Sequence, residues 1–238
     1  MNKKQTIKIL CVAVAMLLSA SAARAQETEI SAYFNGTLPV AQFNNAPTPS
    51  LTDPMTQAFR PMDRENIATG ATAGLGVTLR AGVWFDMGFG ELMPFAEGGF
   101  LWNNSKKSVR LTYDDNRAKY PAYFNIPLYI GFKYRYDIND IIRPFAEVGI
   151  GYDILFITRS YGVDDRWYKF KPSGALAWEA GLGTYLGQNV SLGLYYQGLG
   201  SHRIEYTKTS TGREDGSVPD YVSRRTLGEL TLRLGFHF

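Results

Sequence analysis

Six charged residues recur at comparable positions along alternating segments. The bases are Arg80, Lys133 and Arg233; the acids are Glu97, Glu147 and Glu179. Each lies on the polar face of a segment whose other face is apolar. Counting out from the short turn near residues 88–89 sets Arg80 about opposite Glu97. Counting from Asn139–Asp140 sets Lys133 near Glu147. Three acids and three bases at one height neutralise each other in a narrow interior of low dielectric. Such a network serves either as a gate on an ion path or as a plug that fills the space. The plug is the stronger expectation, because the smallest barrels are just wide enough to be filled by side chains.

Other chemistry finds little to build on. The chain has two histidines, His202 and His237. Ser201 and His202 are neighbours, and on a strand neighbouring side chains point to opposite faces, so they cannot pair as nucleophile and base. Asp114-Asp115-Asn116 and Asp164-Asp165 offer oxygens that suit Ca²⁺, yet isolated acidic pairs in loops are ordinarily just solvated. Gly212-Arg213-Glu214-Asp215-Gly216 reads as a loop tip, not a phosphate cradle. With one Cys there is neither a disulfide framework nor a thiolate metal cluster. The expectation is no catalytic residue, no metal and no cofactor.

Residues 1–25 read as a secretion leader. Lys3, Lys4 and Lys8 form a basic start, Ile9 to Leu18 an apolar run, and Ala23-Arg24-Ala25 a small-x-small cleavage site. The leader holds four of the 25 Lys+Arg and none of the 22 Asp+Glu, so the remaining chain carries 21 bases against 22 acids. That near-neutral balance gives no reason to expect nucleic acid. The only cysteine, Cys11, leaves with the leader, which suits an oxidising compartment.

The elements that position the charges have a period of two. Over 120–136, Ala122, Phe124, Ile126, Leu128, Ile130, Phe132, Tyr134 and Tyr136 share one face. Tyr123, Asn125, Tyr129, Gly131, Lys133 and Arg135 share the other. Residues 142–156 and 229–238 alternate in the same way. Eight strands are predicted, over 29–43, 69–85, 92–103, 119–137, 142–157, 173–186, 190–206 and 225–238. Their connections alternate between short, turn-forming ones and long polar ones at about 44–68, 104–118, 158–172 and 207–224. Pro94-Phe95-Ala96-Glu97-Gly98-Gly99 returns as Pro144-Phe145-Ala146-Glu147-Val148-Gly149; duplication and convergence of similar hairpins explain this echo equally well.

Alternation alone does not say which face is inside, and a soluble lipocalin-like carrier has the same period with the faces inverted. Four features favour a membrane barrel. The leader exports the chain. Short and long connections alternate strictly. Glycines such as Gly131, Gly149, Gly181, Gly183 and Gly193 fall on the polar face, where they make room for bulky neighbours in a narrow lumen. Aromatics gather near apolar-face strand ends: Phe85, Tyr134, Tyr136, Phe236 and Phe238 at one rim, and Phe100, Trp102, Phe156 and Tyr206 at the other. In hydrocarbon an open sheet edge leaves backbone groups unpaired, so the sheet must close. The expected fold is all-β: an eight-stranded antiparallel up-and-down transmembrane β-barrel over residues 26–238.

With its leader, eight alternating strands and terminal Phe236-His237-Phe238, the chain resembles the small outer-membrane barrels of the OmpA-transmembrane and OmpX type. Asn125-Ile126-Pro127-Leu128-Tyr129, followed by Gly131-Phe132-Lys133-Tyr134, resembles the PorT-like outer membrane β-barrel group. The resemblance implies an outer-membrane location, contact with outer-membrane lipid and lipopolysaccharide, and a C-terminal assembly signal in Phe236 and Phe238 read by the barrel-insertion machinery. Arg233 stands where that signal usually has Gly. The functional expectation is a non-enzymatic structural or interaction barrel with a charge-plugged lumen, whose four long external loops meet an extracellular or periplasmic protein partner. The alternatives are a narrow pore or hydrophobic-solute channel and, more remotely, a lipid-A-modifying enzyme.

Overall fold

The computed structural model describes residues 27–44, 70–105, 121–139, 141–158, 160–161, 166–210 and 221–238. The leader, the acidic pairs at 114–116 and 164–165, and the glycine-bounded tip at 212–216 lie outside the described residues. The strands are β1 (Glu27–Val40), β2 (Ala71–Asp86), β3 (Glu91–Ser105), β4 (Ala122–Arg135), β5 (Ile142–Ile157), β6 (Ser160–Tyr161), β7 (Arg166–Phe170), β8 (Ser173–Leu186), β9 (Val190–Ser210) and β10 (Tyr221–His237). Eight of them pair antiparallel in the order β10-β1-β2-β3-β4-β5-β8-β9, and β9 pairs with β10 to close the ring. The seam between first and last strands is long: β1 and β10 are in register from Ser31↔His237 to Val40↔Gly228.

Two features depart from the sequence expectation. First, the 158–172 connection is not all loop. β7 pairs with the far end of β9, Arg166↔Ser210 to Phe170↔Tyr206, and β6 pairs with β7. This ribbon works because β9 continues to Ser210, and β10 begins at Tyr221, both beyond the expected strand ends. Second, β1 stops at Val40, and residues Ala41–Phe43 form one 3₁₀ turn that drops the Phe43 ring into the barrel mouth against Tyr123 (ring centroids 5.4 Å apart).

The burial pattern inverts that of a soluble protein. Leu75, Leu79, Ile130, Val148, Ile150, Leu182 and Leu194 are among the exposed residues, while Arg80, Lys133, Glu147, Glu179 and Arg233 are buried. Strand alternation delivers one set to each wall. Glycine permits the tight interior at specific contacts. A Cβ on Gly181 would collide with the Tyr195 ring, and one on Gly149 would come within 3.2 Å of Glu179 Cγ. The lumen holds apolar clusters at different heights. Trp84, Met93, Phe95, Phe145, Tyr185 and Tyr195 belong to one toward the short turns, and Phe43, Leu101, Tyr123, Leu155, Leu199 and Leu227 to another at the opposite end.

Candidate functional site

The lumen between those clusters holds the six charged residues, delivered by six strands. Arg80 stands directly opposite Glu97 in the β2–β3 ladder, and Lys133 opposite Glu147 in the β4–β5 ladder. The contacts are not confined to these pairs. Arg80 donates from Nε and Nη2 to Glu97 Oε2 at 2.8 and 2.5 Å, and from Nη1 to Glu147 Oε2 at 2.7 Å. Arg233 donates from Nη2 to Glu179 Oε2 at 2.8 Å and lies 3.2 Å from Glu97 Oε1. Lys133 Nζ lies 3.3 Å from Glu147 Oε2. Every acid therefore faces at least one base, and Arg80 and Arg233 share Glu97.

Aromatic rings form the walls of this network. The Arg80 guanidinium sits 4.0 Å from the Phe95 ring centroid, Arg233 4.2 Å from Tyr195, and Lys133 Nζ 4.2 Å from Phe145. A cation held over a ring face is attracted by its quadrupole without needing water. Glu97, Glu147 and Glu179 each bring a carboxylate oxygen within 4.8 Å of the others, a geometry that could hold a metal ion. Two guanidinium groups already occupy the space between those oxygens, so the arrangement favours organic cations over a metal.

Toward the short turns lies a cluster that pattern reading on single segments does not reach. His237 Nε2 is 2.7 Å from Ser191 Oγ, and His237 Nδ1 is 2.9 Å from both Glu29 Oε1 and Ser31 Oγ. Glu29 also accepts from Ser31 Oγ at 2.7 Å, Trp84 Nε1 at 2.9 Å and Tyr185 Oη at 3.2 Å. These residues come from β1, β2, β8, β9 and β10, so one imidazole ties the seam strands to β9. The order Ser–His–Glu is that of a nucleophile, base and orienting acid. However, Ser191 is 2% exposed, and His237 Nδ1 is shared between Ser31 and Glu29. By contrast, Ser201 is exposed and His202 buried, on opposite faces of β9.

On the other side of the charges is a belt of hydrogen bonds among amide and hydroxyl side chains, with the Asp153 carboxylate as one acceptor. Asn35 Nδ2 donates to Thr78 Oγ1 and Asn103 Nδ2 to Thr37 Oγ1, both at 2.8 Å. Asn125 Nδ2 donates to Asp153 Oδ2 at 2.6 Å, and His202 Nε2 lies 3.0 Å from the same oxygen. Thr231 Oγ1 donates to Gln197 Oε1 at 2.9 Å. Asparagine is disfavoured inside strands, so Asn35, Asn103 and Asn125 at lumen positions were the available signal for this belt.

The family model for the outer membrane protein β-barrel domain matches residues 10–238. The chain belongs to that family. It is therefore an outer-membrane β-barrel protein, and its exposed leucines and isoleucines face lipid. No protein of curated function matches the sequence. Solved structures similar to this barrel include OprG of Pseudomonas aeruginosa, at 13% identity over 90% of this chain and 97% of that chain, TM-score 0.45. Ail, the attachment invasion locus protein of Yersinia pestis, is 14% identical over 89% and 97%, TM-score 0.41. Neisserial surface protein A is 10% identical over 88% and 95%, TM-score 0.40.

Proposed function

We propose that this family member is a non-enzymatic barrel whose lumen is plugged by the Arg80–Glu97–Lys133–Glu147–Glu179–Arg233 network, and that it works through its external loops on an extracellular or periplasmic protein partner. The observation that carries the plug is the reach of Arg80 across the lumen to Glu147, at 2.7 Å, within a network of balanced charge. An ion would have to separate these groups in order to pass, and separating paired charges in a dry interior is costly. The chain reaches this state after export and removal of residues 1–25, with Phe236 and Phe238 serving as its assembly signal.

Planar-bilayer recording of the purified protein tests the plug. The expected trace has no stable conductance steps; steady open-channel steps would replace this reading with the narrow pore. Among the described residues, the Ser191–His237–Glu29 relay is the arrangement that favours a hydrolase instead. A fluorophosphonate probe decides that point: Ser191 is expected to stay unlabelled, and its labelling would overturn the non-enzymatic reading.

A further inference from the structure

The outward wall changes character sharply along β8, β9 and β10. Trp178, Tyr196 and Tyr152 lie flat against the outside of the barrel over glycines. A Cβ on Gly198 would strike the Trp178 indole nitrogen, one on Gly174 the Tyr152 hydroxyl, and one on Gly228 would sit 2.8 Å from the Tyr196 hydroxyl. The Trp178 and Tyr196 rings contact each other at 5.2 Å. Aromatic rings with a polar edge settle where hydrocarbon gives way to head groups, so on β9 and β10 Tyr196, lying over Gly228, marks the external boundary of the apolar layer.

Immediately beyond that boundary the same face turns basic. Arg203 and Arg224 stand directly opposite each other in the β9–β10 ladder, and both are exposed. Like charges directly opposite on one face of a sheet repel. Lys171 and Lys169 are exposed beside them on the neighbouring strand and its connection. Among the described residues the acid at this level is Glu205; it lies 2.9 Å from Arg203 Nε and 3.3 Å from Lys171 Nζ. Among the described residues, four bases against one acid give this patch a net positive charge. Arg224 is four residues past Gly228, which places its backbone about 10 Å above the aromatic level on a strand tilted by about 40°. Its side chain then works within the head-group zone.

We infer that Arg203, Arg224, Lys171 and Lys169 form a binding site for the phosphate groups of an anionic outer-leaflet lipid. The patch faces sideways, continuous with the lipid-facing wall, so a membrane lipid reaches it more readily than a soluble ligand does. A phosphate placed between Arg203 and Arg224 would turn their repulsion into two charge-assisted contacts. This site goes beyond the proposed plug and does not depend on it.

The test uses the full protein in detergent micelles, with bound lipid counted by native mass spectrometry. Bisphosphorylated lipid A is compared with the same lipid stripped of phosphate. The wild-type protein is expected to retain the phosphorylated form about tenfold better. Arg203→Gln/Arg224→Gln should lose that preference, while Arg225→Gln, whose partner His202 faces the lumen, should keep it. Equal retention of the two lipids by the wild type would overturn the site, with no reliance on how any variant folds. Displacement of the lipid by millimolar inorganic phosphate would likewise replace a lipid site with one for free anions. A soluble sulfated polysaccharide that bound the patch in preference to lipid A would assign it to an external polyanion instead.

Discussion

Arg80 on β2 and Glu147 on β5 meet at 2.7 Å although β3 and β4 lie between their strands along the sheet. The contact is therefore a strut across the lumen rather than a rung of the ladder. The ladders already pair Arg80 with Glu97 and Lys133 with Glu147, while Gly131 and Gly149 make room for the Phe95 ring and the Glu179 side chain that pack around the strut.

Removing one end of this strut should cost more than removing both. Arg80→Gln leaves Glu97 and Glu147 short of a base in a dry interior, and stranded buried charges cost about 3–5 kcal/mol. Arg80→Gln/Glu147→Gln restores the net balance, two bases against two acids, although Lys133 loses the acid it faces, so the double variant should recover only part of that loss. Reversible urea unfolding in lipid vesicles measures each. A double variant less stable than Arg80→Gln would show that the pair is not coupled in this way. Glu97 is a poorer probe, because Arg80 and Arg233 both use it.

Glycine offers a cleaner test of the two faces than charge does. Gly36 is exposed on the outer wall, and a Cβ there would meet nothing within 4 Å; at Gly181 it would meet the Tyr195 ring. Gly36→Val should be neutral or stabilising, by up to about 1 kcal/mol, since it adds a β-branched side chain facing lipid. Gly181→Val should destabilise by about 1–3 kcal/mol through overpacking. The reverse order in vesicle unfolding would put the lumen on the wrong wall.

The period-two pattern made the eight barrel strands legible, because a one-residue slip would have put Arg80 or Lys133 into lipid. The β6–β7 ribbon was not legible: Arg166–Phe170 is short and mixes charge with aromatics, and it is a strand only because β9 overshoots the barrel to pair with it. The His237 cluster was hidden for a different reason. Glu29, Ser191 and His237 are far apart in sequence, and only closure of the seam brings them together, so no local motif announces them.

His237 should accordingly act as a staple on that seam. His237→Ala would leave Glu29 and Ser191 with one fewer partner each, a loss of about 1–3 kcal/mol for buried polar groups. Its effect should appear as a lower temperature for loss of the compact, heat-modifiable band on gels. Ser191→Ala should give a smaller shift in the same direction, because Glu29 keeps its contacts to Ser31, Trp84 and Tyr185. Equal mobility and melting for wild type and His237→Ala would remove the staple from the account.

The lipid-facing assignment of Leu232 and the lumenal one of Thr231 set up the sharpest contrast in energy. Leu232 is 54% exposed, whereas Thr231 is fully buried. Arginine at Leu232 should destabilise by about 2–4 kcal/mol if it lies near the bilayer midplane. Thr231 donates to Gln197 within the filled lumen, so an arginine there would be overpacked, and the informative substitution is Thr231→Val. It keeps the volume and loses one buried hydrogen bond, a cost of about 1 kcal/mol. Unfolding of Leu232→Arg and Thr231→Val in the same vesicles gives the comparison. If Leu232→Arg proved the milder of the two, Leu232 would not face hydrocarbon, and the soluble barrel with inverted faces would become the better description.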